Sequence, residues 1–338
     1  MNKDAQALHL DEEFTQNLSM ALVRVTEDTA LAAGRWMGRG DNQGADQAAT
    51  QAMWDALGSL HIDGTVVIGE ETRLGAHTPL DSEMKVGRGD GPAMDVVLDP
   101  IDGVSLLSRS LPDAISVIGV APRGAMWHPY PAVYMDKIIV DRETAPHLVS
   151  ECMDAPAGWT LALVARVKQK PIRDLVVYVL KRARHEHLIE EIQAAGARVF
   201  LRSDGDVAGA LMAASDRYNV DLMMGIGGVA EGVISACAVK ALGGEMLGRL
   251  APQSEEERQA VSEAGLDPDE ILGCHQIIGG EEVFFSTTSI TGGALMDGVH
   301  YHGPVGTTES MVLRSHRRSQ RIISAEHLIE DLPPNSQA

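Results

Sequence analysis

The chain has 338 residues, with 28 Lys and Arg against 48 Asp and Glu, and carries a formal charge of −20. That length accommodates one large or two ordinary domains, and 44% hydrophobic with 22% charged residues excludes a disordered chain. The acidity excludes a nucleic-acid or anionic-membrane binder, because nothing offsets phosphate repulsion, and 4% aromatic residues leave little for base stacking.

The first periodic segment, from about Asp11 to Met37, places Leu18, Ala21, Leu22, Val25, Ala30 and Ala33 at helical spacing before Gly38-Arg39-Gly40 stops it. A second helix is expected from Ala45 to Leu60. Short apolar runs between glycine-rich loops then predict strands at Thr65–Ile68, Met94–Leu98, Ala114–Val120, Val133–Val140, Leu175–Leu180 and Ala197–Leu201. Leu188, Ile189, Ile192 and Ala195 predict a helix closed by Gly196. Strand and helix alternate again through Asp221–Met224, Val229–Leu242 and Glu282–Ser286. This reads as α/β, with a mixed N-terminal sheet and a more doubly wound C-terminal half. The proline-bearing stretch Thr144–Pro171 suggests a division into residues 1–145 and 146–330, with 331–338 as a tail. Cys152, Cys237 and Cys274 form no C-x-x-C pair, so neither a disulfide framework nor a zinc knuckle is expected. The opening MNKDAQALHLDEEF has no apolar h-region, and no apolar run reaches the roughly 18 residues of a membrane span. A cytoplasmic protein with no membrane and no nucleic-acid partner is the expectation.

The most informative stretch is Met94-Asp95-Val96-Val97-Leu98-Asp99-Pro100-Ile101-Asp102-Gly103. An apolar strand ends in an aspartate, proline forbids further regular ladder bonding, and a second aspartate precedes a turn glycine. Two carboxylates at one strand mouth suit hard divalent cations. Alone, Asp-Pro and Asp-Gly are ordinary turn dipeptides. Together, D-P-I-D-G after an apolar strand resembles the metal signature of the lithium-sensitive phosphatase superfamily, which includes inositol monophosphatases and fructose-1,6-bisphosphatases. Further segments resemble class II fructose-1,6-bisphosphatases in family order: Gly38-Arg39-Gly40-Asp41 with Ala45–Ala49, Val66–Glu70, Tyr134-Met135-Asp136-Lys137, Arg184-His185, Asp204-Gly205-Asp206 and Gly225–Gly232.

The resemblance implies a layered αβαβα sugar-phosphatase fold that hydrolyses the 1-phosphate of fructose 1,6-bisphosphate, with sedoheptulose 1,7-bisphosphate as an alternative substrate. It implies two or more Mg²⁺ or Mn²⁺ ions on Asp46, Glu70, Asp99, Asp102 and Glu231, and a homodimer or homotetramer. Substrate would meet Asp102, Gly103, Val104, Tyr134, Arg182, Arg184, Asp204, Gly205, Asp206 and Gly228. Arginine forks suit phosphate independently of any family.

Four positions depart from the family pattern. Val104 stands where threonine usually orients the attacking water, and Ser105 is displaced from that place by one residue. The loop reads Gly69-Glu70-Glu71-Thr72-Arg73 in place of G-E-G-E, so Glu71 is the substitute for the second glutamate. Asn42 and Arg182 replace lysines. Asp46, Glu70, Glu71 and Ser105 are thus the catalytic candidates, with water activation altered. A low-turnover, sugar-phosphate-binding regulatory paralogue is the rival of another class. Gly225-Ile226-Gly227-Gly228-Val229-Ala230 also fits the G-x-G-x-x-A dinucleotide fingerprint, although Glu245 precedes the next apolar stretch instead of ending it. The pairs His185/His187 and His300/His302 are expected to be solvent-exposed and to hold no zinc.

Overall fold

In the computed structural model, residues 12–69, 77–316 and 318–329 are described. Helices α1 (Glu12–Gly34) and α2 (Asn42–Leu57) precede β1 (Asp63–Ile68), β2 (Lys85–Val86) and β3 (Ala93–Asp102). The short α3 (Val104–Ser108) leads to β4 (Ile115–Pro122), β5 (Tyr134–Val140) and α4 (Ala157–Val167). An alternating stretch follows: β6 (Val176–Leu180), α5 (Glu186–Ala194), β7 (Arg198–Arg202), α6 (Asp206–Ala213), β8 (Leu222–Gly228), α7 (Val229–Leu242) and β9 (Glu245–Leu250). Then come α8 (Glu255–Glu263), β10 (Leu272–Gly273), α9 (Cys274–Ile277), β11 (Phe284–Ser289), β12 (His300–His302), β13 (Val305–Arg314) and β14 (Ser319–Leu328).

These strands make two sheets. The first runs β12-β13-β11-β4-β3-β1-β2, with β14 on the other side of β13. It is antiparallel except for the β1–β3 pair. The second runs β10-β9-β5-β8-β6-β7 and is parallel only across β7-β6-β8.

Side-chain alternation turns the sheets into layers. Tyr178 and Leu180 of β6 face one way, into a core with Val97, Val117, Phe285 and the helix residues Leu211 and Ile234. Val177 and Val179 face the other way, onto Leu161 and Val164 of α4 and Ile192 of α5. Leu22, Val25 and Met53 of α1 and α2 cover Val96, Leu98 and Ile118 on the outer face of the first sheet. The result is the expected αβαβα order, with α6 and α7 as the middle layer. Helix α7 is apolar nearly all round because it has a sheet on each side.

One expectation needs correction. Strand β3 does not stop at Asp99: it continues to Asp102 through a bulge, two residues (Pro100 and Ile101) lying opposite Ser116 alone. The bulge absorbs the proline, which has no N–H to give the ladder, and re-aims Asp102. The stretch Thr144–Pro171 holds two 3₁₀ turns and α4. Sheet membership also crosses the 145/146 division: β5 belongs to the second sheet, whereas β11–β14 return to the first. The tail 331–338 lies outside the described residues.

Among the described residues no helix is long and apolar enough to cross a membrane. Cys152, Cys237 and Cys274 are all buried free thiols. Burial pushes the Cys237 thiol up to about 12 and that of Cys274 well above its ordinary value. A disulfide-exchange reagent at pH 8 is therefore expected to label none of the three thiols in folded protein and all of them in urea. Stoichiometric labelling without denaturant would contradict this packing.

Candidate active site

The ends of β3, β6, β7 and β8, together with the start of the antiparallel β5, meet at one edge of the molecule. Loops outside the carboxyl ends of parallel strands, with helix N-termini beside them, are the usual place for ligands in such sheets. A cleft of about 290 Å³ lies there. Asp102, Tyr134, Arg182 and Arg184 line it, as do Asp204, Asp206, Gly228 and Glu231. Residues from five separated segments thus line one cleft.

Asp102 does more than face the cleft. Its Oδ1 accepts the Asp206 amide at 3.0 Å, and its Oδ2 accepts those of Val207 at 2.9 Å and Ala208 at 3.1 Å. These are the first three residues of α6, whose N-cap Gly205 has no side chain to offer. Asp102 therefore supplies a long-range side-chain cap to that helix. Burial, and then the charges of Asp99, Asp204, Asp206 and Glu231, hold its carboxyl well above the usual carboxylate range.

The glycine run at the end of β8 answers to the same crowding. A Cβ on Gly227 would collide with the Asp206 carboxylate, and one on Gly228 with that of Glu231. These glycines let two carboxylates lie against backbone. The dinucleotide reading finds no support: Glu245 opens β9, and its Oε1 is occupied by the amides of Met246 and Cys274 at 3.0 and 2.8 Å.

Ser105 donates to Asp204 Oδ2 at 2.8 Å, toward the loop after β7. Gly103, in the left-handed region, caps α3, and Val104 begins that helix. Arg182 lies 3.5 Å from Asp204 Oδ1. Arg184 holds the Ile226 carbonyl at 3.0 Å and sits 4.8 Å over the Tyr134 ring. Burial lowers the Arg184 pKa from its ordinary value.

Asp99 is buried at the bulge, where its Oδ1 accepts the Ile101 amide at 2.9 Å. Asp46 is half-buried on α2. Glu70 and Glu71 lie outside the described residues. Among the described residues no three His, Cys, Asp or Glu side chains converge closely enough to hold a metal ion.

Two residues of the site were not expected from the sequence. His185 is buried, not exposed: Nδ1 donates to the Leu180 carbonyl at 2.6 Å and Nε2 accepts the Ile226 amide at 2.8 Å. Burial lowers its pKa, and the pairing requires a neutral ring, which ties the end of β6 to β8 beside Arg184. Its exposed neighbour His187 plays no part in that tie. Lys137 is buried and ion-paired to Asp206. Alternation along β5 puts it in register with Met135 and Ile139, which was the available signal. His300 and His302 are exposed as expected.

Replacing Asp102 with alanine is expected to lower the unfolding free energy of metal-free protein by about 1–3 kcal/mol, because three buried amides lose their acceptor. Urea denaturation in EDTA measures it. A variant as stable as wild type would mean that relief of like-charge repulsion outweighs the cap.

A family model described as bacterial fructose-1,6-bisphosphatase, glpX-encoded, matches residues 16–327. The chain is 35% identical to fructose-1,6-bisphosphatase 1 class 2 of Escherichia coli (strain K12), over 95% of this chain and 98% of that protein. It is 34% identical to the D-fructose 1,6-bisphosphatase class 2/sedoheptulose 1,7-bisphosphatase of Synechococcus sp. (strain JA-3-3Ab), over 94% of this chain and 98% of that one. With both the αβαβα order and this near-complete coverage, the chain belongs to the glpX-type, class II family of bacterial fructose-1,6-bisphosphatases.

Proposed function

We propose that this protein hydrolyses the 1-phosphate of fructose 1,6-bisphosphate, giving fructose 6-phosphate and inorganic phosphate. The observation that carries the reading is the cleft itself, in which two arginines from the loop after β6 share one lining with the carboxylates of Asp102 and Glu231. A bisphosphorylated sugar matches that polarity. Arg182 and Arg184 bind its distal phosphate as charged forks. Asp204 and Asp206 accept hydrogen bonds from sugar hydroxyls and so fix the position of the reacting phosphorus.

The donor set suits a hard divalent cation, Mg²⁺ or Mn²⁺, since it is made of carboxylates with neither thiolate nor imidazole. Asp46, Glu70, Asp99, Asp102 and Glu231 would hold it, three lone-pair sites of Asp102 being already committed to α6. Bound there, a cation would neutralise phosphate charge and make water a better nucleophile near neutral pH. The gathering of Asp102, Asp204, Asp206 and Glu231 around one cleft is the feature of this chain that supports such a site.

In the hydrolysis, the water oxygen bonds to phosphorus as the bond from phosphorus to the sugar O1 breaks, and O1 takes up a proton. Position 104 offers no hydroxyl to orient that water, and the hydroxyl next to it in sequence, on Ser105, is committed to Asp204. That commitment favours slow turnover, and it is the one observation on the side of a regulatory sugar-phosphate binder. The larger sedoheptulose 1,7-bisphosphate presents the same phosphate to the same groups.

Purified protein is expected to release phosphate from fructose 1,6-bisphosphate with Mg²⁺ or Mn²⁺ and none in EDTA. Val104→Thr is expected to raise kcat by about tenfold or more, as one positioning group is regained. Binding without release in both proteins would establish the regulatory reading instead.

A further inference from the structure

Strand β5 carries the sequence Tyr134-Met135-Asp136-Lys137-Ile138-Ile139-Val140. Its odd-numbered side chains enter the middle layer, where Met135 and Ile139 are core residues. Lys137 stands between them in the same row and is 0% exposed. Its cross-strand neighbours are Gly225 on β8 and Gly248 on β9, so neither flank crowds the long side chain. The ammonium ends 2.6 Å from Asp206 Oδ2. Asp206 is itself only 4% exposed, yet it lines the cleft, and its Oδ1 has no hydrogen-bond partner among the described residues.

A buried ion pair of this kind is a poor route to stability. Desolvation of both charges offsets much of their attraction, and an apolar pair of similar volume generally does as well or better. Met and Ile on either side show that this row accommodates apolar side chains. The pair instead solves a problem local to the cleft. Asp206 lies close to Asp102, Asp204 and Glu231, and nothing in that acidic group would hold its carboxylate in one orientation. The Lys137 ammonium engages Oδ2 from beneath, and Oδ1, buried in this structure, is the carboxylate atom that has no partner among the described residues.

We infer that Lys137 is a positioning residue for substrate, acting through Asp206: it fixes Oδ2 from the protein interior so that Oδ1 accepts a sugar hydroxyl. This rests on the sugar-bisphosphatase reading above, and it assigns Lys137 a part in binding and none in bond cleavage. Its effect should therefore appear in KM and in product affinity, and should vanish once Asp206 can no longer act as an anionic acceptor.

The test is a double-mutant cycle with Lys137→Met and Asp206→Asn, read as KM and kcat for fructose 1,6-bisphosphate and as calorimetric binding of fructose 6-phosphate, all with Mn²⁺. Lys137→Met alone is expected to raise KM and weaken product binding by roughly tenfold or more, the scale of one charge-assisted hydrogen bond, with a smaller change in kcat. In the Asp206→Asn background, Lys137→Met is expected to change either quantity by less than about twofold, since independent effects would add. The double variant leaves neither charge unpaired. Should Lys137→Met alone fail to fold, the comparison of Asp206→Asn with the double variant decides the matter. An equal loss from Lys137→Met in both backgrounds, or a loss confined to kcat, would overturn the inference. Wild-type protein that binds no fructose 6-phosphate would contradict the sugar-bisphosphatase reading as well, whereas wild-type binding that Lys137→Met leaves intact would contradict this assignment alone.

Discussion

Three backbone amides at the start of α6 converge on one carboxylate from the end of β3, and the geometry of the cleft depends on that convergence. The contact joins the first sheet to the middle helical layer across 104 to 106 positions of sequence. A short aspartate reaches the amides because the bulge at Pro100 and Ile101 turns β3 just before it ends. Once α6 is fixed, Asp204, Gly205 and Asp206 are fixed too, since they form the turn that leads into it. Like charges at this spacing repel strongly in a low-dielectric setting. Burial first, and then those charges, hold Asp102 well above its ordinary pKa although three donors favour its ionised form.

The remaining features of the site accommodate this concentration of negative charge. Gly227 and Gly228 give up side chains so that Asp206 and Glu231 can approach the main chain. Lys137 approaches from the core. Arg182 and Arg184 approach from the loop after β6, and the neutral imidazole of His185 holds that loop to β8 without adding a charge. The positive groups near the cleft thus enter from the second sheet, whereas Asp99 and Asp102 come from the first. A ligand with phosphate at one end and hydroxyls in the middle spans that division.

Much of this was legible in the sequence. The strand-then-carboxylate pattern at 94–103, the arginines after Leu180 and the D-G-D turn after β7 were each ordinary alone, and their order along the chain made them specific. The helix Val229–Leu242 has the same bounds in structure as in its hydropathy pattern. What sequence could not give was the direction of single side chains. Ser105 was one residue away from a catalytic position, and only the turn of α3 decides that it faces Asp204. The D-P-I-D-G proline read as a strand end, because the bulge that accommodates it exists only once β4 is alongside. His185 read as exposed because its partners, Leu180 O and Ile226 N–H, come from two strands distant from each other in sequence. The hairpin β13–β14 has an outer strand with no fully buried residue, which leaves only a weak hydropathy pattern.

A net charge of −20 is unfavourable for a protein whose proposed substrate is itself highly anionic. The conflict disappears if cations enter the carboxylate end of the cleft and reverse its local charge before phosphate arrives. Cation and phosphate would then stabilise one another, and linkage makes that coupling equal in both directions. A calorimetric titration of Mn²⁺ into cation-stripped protein, with and without inorganic phosphate, measures it directly. Mn²⁺ binding that tightens by roughly fivefold or more in phosphate is the expected result. Phosphate binding of equal strength with and without Mn²⁺ would contradict it.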